Sequence, residues 1–115
     1  MKYTESMLYR ENLLDKYGNK LSIGDIVAFN NYGTPEIGII HHFAAETVII
    51  RYYYKYKSGD KYLYKAQRYH YSLIKVGDYK DENKYEDIKQ LIEDLPKEVL
   101  LKLKDYGKES LYSMA

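Results

Sequence analysis

The sequence contains no cysteine, which excludes disulfide bonds and thiolate metal sites. It also lacks any long apolar run, since its longest such runs are only a few residues. Runs that short cannot span a membrane or form the core of a signal peptide. We therefore expect a cytoplasmic protein with no membrane contact.

Motifs of catalysis are lacking as well. The serines lie in no nucleophile-elbow pattern, and the glycines are isolated rather than gathered in a phosphate-binding loop. His41 and His42 are adjacent in a predicted strand, where alternation would point them to opposite faces and prevent chelation. Asp25 is predicted to cap backbone N–H groups in a tight turn. We expect a protein that is not an enzyme and binds neither metal nor cofactor.

What is present fits one small globular domain. The chain has 115 residues, of which 45% are hydrophobic and 30% charged. Turn signals separate five or six short β-rich segments within residues 1–77, a spacing typical of a small barrel. The residues predicted to form its core are Val27, Phe29, Ile40, Val48, Ile50 and Leu73.

The segment from Glu36 to Phe43 reads as a strand that is apolar on both faces. Alternation puts Ile37, Ile39 and Phe43 on one side and Ile40 on the other. A strand of this kind must be covered on both sides. The predicted barrel interior can cover only one of them.

Residues 78–115 are predicted to cover the other face of this strand. A polar linker leads to a predicted helix capped by Asn83 with Glu86, and Pro96 suits the first turn of another helix. Each helix carries an apolar stripe that ends near Leu95 and Tyr106 respectively, with Gly107 as a cap. We predict a mainly β fold in which this helical hairpin packs on the barrel.

Residues 49–76 hold eight of the sixteen tyrosines. The net charge of the chain is only +1, yet residues 51–71 carry six lysines and arginines against Asp60 alone. A turn at residues 58–60 is predicted to pair Tyr56 with Tyr62 and Tyr54 with Tyr64. Alternation predicts an exposed face that comprises Arg51, Tyr53, Lys55, Lys57, Lys61, Lys65 and Arg68. The candidate binding site combines that face with Tyr54, Tyr56, Tyr62 and Tyr64.

Several interpretations of this segment remain open. A chain rich in Tyr, Lys and Ile is typical of AT-rich coding, and such a sheet could simply place some tyrosines in its core. Tyrosine also gives protein interfaces a large rigid contact with a polar tip. Phenols flanked by lysine could instead stack the bases of single-stranded DNA or RNA while the lysines neutralise phosphates. A pocket that sequesters a small nucleotide is a third possibility.

The first half of the chain carries the pattern D-x-x-G-x-x-L-x-x-G-D-x-V followed by G-x-I. This pattern resembles the small Src-homology-3-like barrels of prokaryotes, most closely the start of YopX-type phage proteins. Residues 23–76 also resemble Tudor-like and KOW modules such as that of CarD-type regulators. The resemblance implies a phage or mobile-element accessory protein that binds, and inhibits or redirects, a host or viral protein of nucleic-acid machinery. The matching residues are Asp15, Gly18, Leu21, Gly24, Asp25, Val27, Gly38 and Ile40.

Overall fold

The structure of the protein is a computed structural model that describes residues 9–97 and 99–101. It is mainly β, with short helices towards its C-terminal end. Helix α1 spans Ile88–Glu93, and 3₁₀ turns span His70–Ser72 and Tyr79–Asp81. The seven strands are β1 (Tyr9–Leu14), β2 (Lys20–Ser22), β3 (Ile26–Asn31), β4 (Thr34–Phe43), β5 (Thr47–Lys55), β6 (Lys61–Tyr69) and β7 (Ile74–Gly77).

Five of these strands form one antiparallel sheet in the order β6-β5-β4-β3-β7, while β1 and β2 form a separate two-stranded ribbon. The mainly β class with C-terminal helix is thereby confirmed. Within the described residues the sheet does not close into a barrel, because its outermost strands, β6 and β7, each pair with a single neighbour. No helix in this part of the chain is long and apolar enough to cross a membrane.

The pairing of β5 with β6 defines two faces of the sheet. We call the side that carries the even-numbered residues of both strands the tyrosine face, and the side that carries the odd-numbered residues the lysine face. The tyrosine face presents Tyr52, Tyr54, Tyr62 and Tyr64. The lysine face presents Arg51, Tyr53, Lys55, Lys61, Leu63 and Lys65.

An irregularity in β4 changes which of its side chains share a face. Ile40 lies opposite Ile50, but His42 lies opposite Ile49, so one extra residue of β4 is inserted between them. A bulge of this kind shifts the alternation by one. Phe43 consequently joins Ile40 on the tyrosine face, and the prediction that it lies with Ile37 and Ile39 is wrong.

The core forms on both faces of the sheet. All six residues predicted to be core are buried, five of them completely and Phe29 to 4% exposure. Leu21 and Ile23, which lie in and just after β2, are fully buried in the same cluster. On the lysine face Ile39 is also fully buried, which requires a second layer.

Helix α1 supplies that second layer. Ile88, Leu91 and Ile92 are buried in the main cluster, and the helix contacts β4. Two polar contacts fix it over the lysine face, since the hydroxyl of Tyr53 donates to Asp94 at 3.1 Å and Lys61 pairs with Asp87 at 2.5 Å. Helix α1 thus packs against β4, while the predicted two-helix hairpin over residues 78–115 extends beyond the described residues.

The start of α1 differs from the prediction. The helix begins at Ile88, and its cap is Asp87 with a φ of 68° instead of Asn83. An α-helix cannot run through a residue in the left-handed region, so the turns before Asp87 stay outside it. After Pro96, Lys97 and residues 99–101 are helical. Tyr106 and Gly107 lie outside the described residues.

We predict that Leu91→Ala lowers the free energy of unfolding by about 2–5 kcal/mol, because Leu91 is 2% exposed between helix and sheet. Gln90→Ala, an exposed change on the same helix, is the matched control and should change it little. Urea unfolding of both variants measures the difference. Equal stability of the two would mean that α1 is not part of the core.

Candidate partner-binding surface

The turn between β5 and β6 sets the register of the tyrosines. The Tyr56 N–H donates to the carbonyl of Asp60 at 2.8 Å, and Gly59 adopts a φ of 94° that favours glycine. Residues 57–59 therefore form the loop, one position earlier than predicted. The observed pairs are Tyr54 with Tyr62 and Tyr52 with Tyr64, so the predicted pairs are wrong by two residues. A two-residue offset leaves every side chain on its face.

Five tyrosines form a connected aromatic cluster on the tyrosine face. The ring of Tyr54 lies 4.9 Å from that of Tyr56 and 6.0 Å from that of Tyr64, both nearly edge to face. Tyr56 also contacts Tyr62 at 5.4 Å, and its hydroxyl is hydrogen-bonded to that of Tyr64. These edge-to-face contacts hold the rings in fixed positions. The cluster is completed by Tyr52, whose ring lies 6.1 Å from that of Tyr64.

The outer part of this cluster is open to solvent. Tyr62 is 53% exposed, Tyr56 42% and Tyr64 39%, whereas Tyr52 is buried beneath them. With Ser58 and Asp60 the three exposed rings line an open groove of about 400 Å³. The hydrogen bond with Tyr64 raises the pKa of Tyr56 to about 12. The groove thus presents three phenol rings beside the side chains of Ser58 and Asp60.

The lysine face carries Lys55, Lys61 and Lys65. Asp87, which caps α1, pairs with Lys61 and offsets its charge. Lys55 lies opposite Lys61, whose pKa is raised by its hydrogen bond to Asp87. Tyr53 is half-buried beside α1, where its hydroxyl contacts Asp94, so the prediction that it is freely exposed is wrong. Lys57 lies in the exposed turn.

Arg68 does not belong to the lysine face. It lies opposite Val48 in the pairing of β5 with β6. Both are even-numbered residues, and the even-numbered residues of these two strands lie on the tyrosine face. Its side chain donates to the carbonyls of Asn30 at 3.2 Å and Gln67 at 2.9 Å, and it lies 5.6 Å over the ring of Phe29. The prediction that it joins the lysines is wrong, and its guanidinium is held by its own chain.

His41 and His42 meet at the β4 bulge, so the prediction that they point to opposite faces is wrong. Their Nδ1 atoms are 2.8 Å apart. Burial, followed by the charges of Arg51, His42 and Lys65, lowers the pKa of His41 to about 4. Burial also lowers the pKa of His42, with Lys65 and Arg51 adding to the effect. Within the described residues no three potential metal ligands cluster.

Asp25 is the buried carboxyl with the most perturbed pKa, which makes it a candidate functional group. Burial raises its pKa to about 6, although Lys75 at 3.2 Å and the N–H of Ser22 at 2.7 Å oppose the change. It is only 3% exposed, and both contacts are made by its Oδ2 atom. Its role as a turn cap is what the sequence predicted.

Asp15 performs a similar task for the preceding turn. It accepts the N–H groups of Tyr17, Asn19 and Lys75 at 2.7–2.9 Å. Burial alone would raise its pKa, but these hydrogen bonds outweigh burial and lower it. Lys75, which sequence analysis did not single out, therefore links both carboxylates of the motif.

A comparison with known families adds one assignment. The profile of a family described as a domain of unknown function, DUF7205, matches residues 14–76. The chain belongs to the DUF7205 family. No curated protein and no solved structure matches it.

The DUF7205 region coincides with the sheet and ends before α1. Its motif residues serve the fold: Gly18 and Gly24 adopt φ values of 85° and 89°, and Gly38 lies where β4 and β5 approach closely. A Cβ on Gly38 would be 2.7 Å from the carbonyl oxygen of Arg51, a backbone atom that cannot move aside cheaply. These residues therefore describe a scaffold, and the aromatic cluster is a separate feature built on it.

We predict that Asp25→Asn becomes more stable relative to the unchanged protein as pH rises from 4 to 7, by up to about 3 kcal/mol. The folded-state pKa of about 6 exceeds 3.8, the ordinary value for an aspartate. Ionisation of Asp25 across that window thus costs the folded protein stability that the amide does not lose. Urea unfolding of both proteins at several pH values gives the difference. A difference independent of pH would contradict the assignment.

We also predict that Lys65→Glu raises the pKa of His42, because Lys65 is a cation that disfavours its protonation. NMR titration of the imidazole protons measures this shift. Lys57→Glu, the same charge change in the exposed turn, is the control and should leave the pKa of His42 unchanged. Equal shifts in both variants would indicate a general charge effect instead of a local one.

Proposed function

We propose that this DUF7205 protein is a non-enzymatic accessory protein that binds another protein through its tyrosine face. The observation that carries the proposal is the exposed aromatic cluster of Tyr56, Tyr62 and Tyr64. Rings held by one another lose little freedom on binding, and their hydroxyls can satisfy polar groups of a partner. Such residues are those that supply most of the energy at protein interfaces.

The separation of phenols from cations supports a protein over a nucleic acid. A single-stranded nucleic acid needs stacking rings and phosphate-neutralising cations along the same groove. Here the rings occupy the tyrosine face, while Lys55 and Lys65 lie on the lysine face. Arg68 shares the face of the rings but is engaged with Asn30 and Phe29.

A nucleotide-sequestering function has less support. The groove beside the cluster is open, and among the described residues that line it the charged one is Asp60, which would repel a phosphate. Single-stranded DNA or RNA binding along the lysine face is the second candidate, supported by the directly opposed cations Arg51 and Lys65.

The biological setting rests on the sequence resemblance. The turn and core residues resemble those of small phage barrels of the Src-homology-3-like class, so we place the partner among host or viral proteins of nucleic-acid machinery in the cytoplasm. The protein would inhibit or redirect that partner by occupying its surface, without turnover.

We predict that Tyr62→Ala weakens binding to the natural partner about 30-fold or more, as loss of an interface hot spot does. The partner is first captured from the native host and identified by mass spectrometry, and its affinity is then measured with purified proteins. Tyr17→Ala is the matched control, since Tyr17 is 70% exposed but lies outside the hairpin. Lys55→Ala tests the lysine face and should have a small effect.

A titration with labelled single-stranded DNA and RNA at two salt concentrations separates the two candidates. The proposal expects no specific binding at either. Binding at low salt, with a log–log salt slope that falls by about 0.7 in Lys65→Ala, would overturn it in favour of nucleic acid.

A further inference from the structure

Strand β6 is an edge of the sheet, and its hydrogen-bond pattern can be deduced from both ends of its pairing with β5. At the turn, the Tyr56 N–H donates to Asp60 O, and beyond the other end the His70 N–H donates to Glu46 O. Both are pairs of even-numbered residues in the same register as the ladder. In antiparallel strands bonded and non-bonded pairs alternate. The even residues of β6 therefore bond to β5.

The odd residues of β6 consequently direct their N–H and C=O groups away from the sheet. Lys61, Leu63 and Lys65 are three consecutive residues of this kind, and all are exposed. No described part of the chain makes a backbone hydrogen bond with them on that side. The next outward carbonyl, that of Gln67, accepts from the side chain of Arg68 at 2.9 Å. The stretch around Leu63 thus forms an open template for another strand.

The charged side chains next to the free edge of β6 determine which kind of strand can pair with it. Arg51 and Lys65 lie directly opposite each other on the lysine face, an arrangement of like charges that destabilises a sheet. Within residues 9–97 and 99–101, neither forms an ion pair with a carboxylate. Lysines on an edge also deter strands that offer them no partner. A carboxylate on an added strand would reduce the repulsion between Arg51 and Lys65 and would give the edge lysine an ion-pair partner.

We propose that β6 accepts an extended segment of a partner protein as an additional strand, with acidic side chains next to Lys61 and Lys65 and apolar side chains next to Tyr62 and Tyr64. This inference rests on the proposed function and specifies how the partner is held. Main-chain hydrogen bonds would supply part of the affinity, and the alternating side chains would supply the selectivity.

A second copy of the chain fits the edge less well than such a segment. Antiparallel self-pairing centred on Leu63 would bring Lys61 of one copy opposite Lys65 of the other. Self-pairing centred on Lys65 would oppose the two Lys65 side chains. Both arrangements add like-charge contacts to those already present. Self-pairing centred on Tyr64 would set Lys65 opposite Leu63 and would leave it without a carboxylate, whereas an acidic segment supplies one.

The test uses the full chain and a short synthetic peptide that alternates glutamate with valine, with a peptide that alternates lysine with valine as control. NMR is expected to show fast amide exchange at Leu63 and Lys65 in the free protein and slow exchange at Tyr62 and Tyr64. The glutamate peptide should perturb and protect the Leu63 and Lys65 amides, and the lysine peptide should not. Amides of Leu63 and Lys65 that are already protected in the free chain would overturn the proposal.

Two variants distinguish the contribution of backbone hydrogen bonds to peptide binding from that of charge. Leu63→Pro removes an outward N–H but no bond to β5, so it should keep the fold, as edge prolines do, and abolish peptide binding. Lys65→Glu keeps every N–H and should weaken binding of the glutamate peptide about fivefold or more. Unchanged binding in both variants, or protection that rises with protein concentration alone, would contradict the proposal.

The natural partner distinguishes this inference from the proposed function. If Tyr62→Ala abolishes its binding and Leu63→Pro does not, the tyrosine face binds the partner but strand addition is wrong. If neither variant weakens its binding, the proposed function itself fails.

Discussion

The register between β5 and β6 is the constraint on which the rest of the surface depends. It is fixed by the hydrogen bond from Tyr56 to Asp60 across a turn that Gly59 permits. Because side chains alternate along a strand, this register gathers the five tyrosines of the cluster on one face and Lys55, Lys61 and Lys65 on the other. It also decides which backbone groups of β6 face outward. A slip of one residue would pair phenols with lysines and remove the distinction between the two faces.

Burial on both sides of the sheet keeps this register in place. Ile50 and Val48 are locked into the core on the tyrosine face, while α1 covers Ile39 on the lysine face. Sliding β5 would expose one set of apolar side chains, at about 25 cal/mol for each Å² returned to water. The part of the hairpin that contains Val48 and Ile50 thus lies over the core. The exposed tyrosines lie at its other end, near the turn. The aromatic cluster is thus an extension of the scaffold that the DUF7205 match describes.

Much of the scaffold could be predicted from the sequence, because apolar alternation and turn glycines act locally. The buried residues, the capping role of Asp25 and the docking of a helix on β4 all follow from such signals. The bulge at His41 could not be predicted, since no residue type there demands an extra position. The contacts of Asp87 and Asp94 with the hairpin escaped prediction for a different reason: they join segments far apart in the sequence. The phenol cluster was expected, whereas the position of Arg68 on the tyrosine face follows from alternation along β6 itself, because Arg68 is three residues after Lys65.

The pattern of NMR contacts between α-protons of β5 and β6 reports this register directly. In antiparallel strands the α-carbons of non-hydrogen-bonded pairs lie only about 4.5 Å apart, which brings their protons into strong contact. The register requires such contacts between Arg51 and Lys65 and between Tyr53 and Leu63. Their observation would establish that the tyrosines of the cluster and the lysines of β5 and β6 occupy opposite faces. Contacts that instead join Arg51 to Tyr64 or to Ala66 would show a slipped register and contradict the account of the surface.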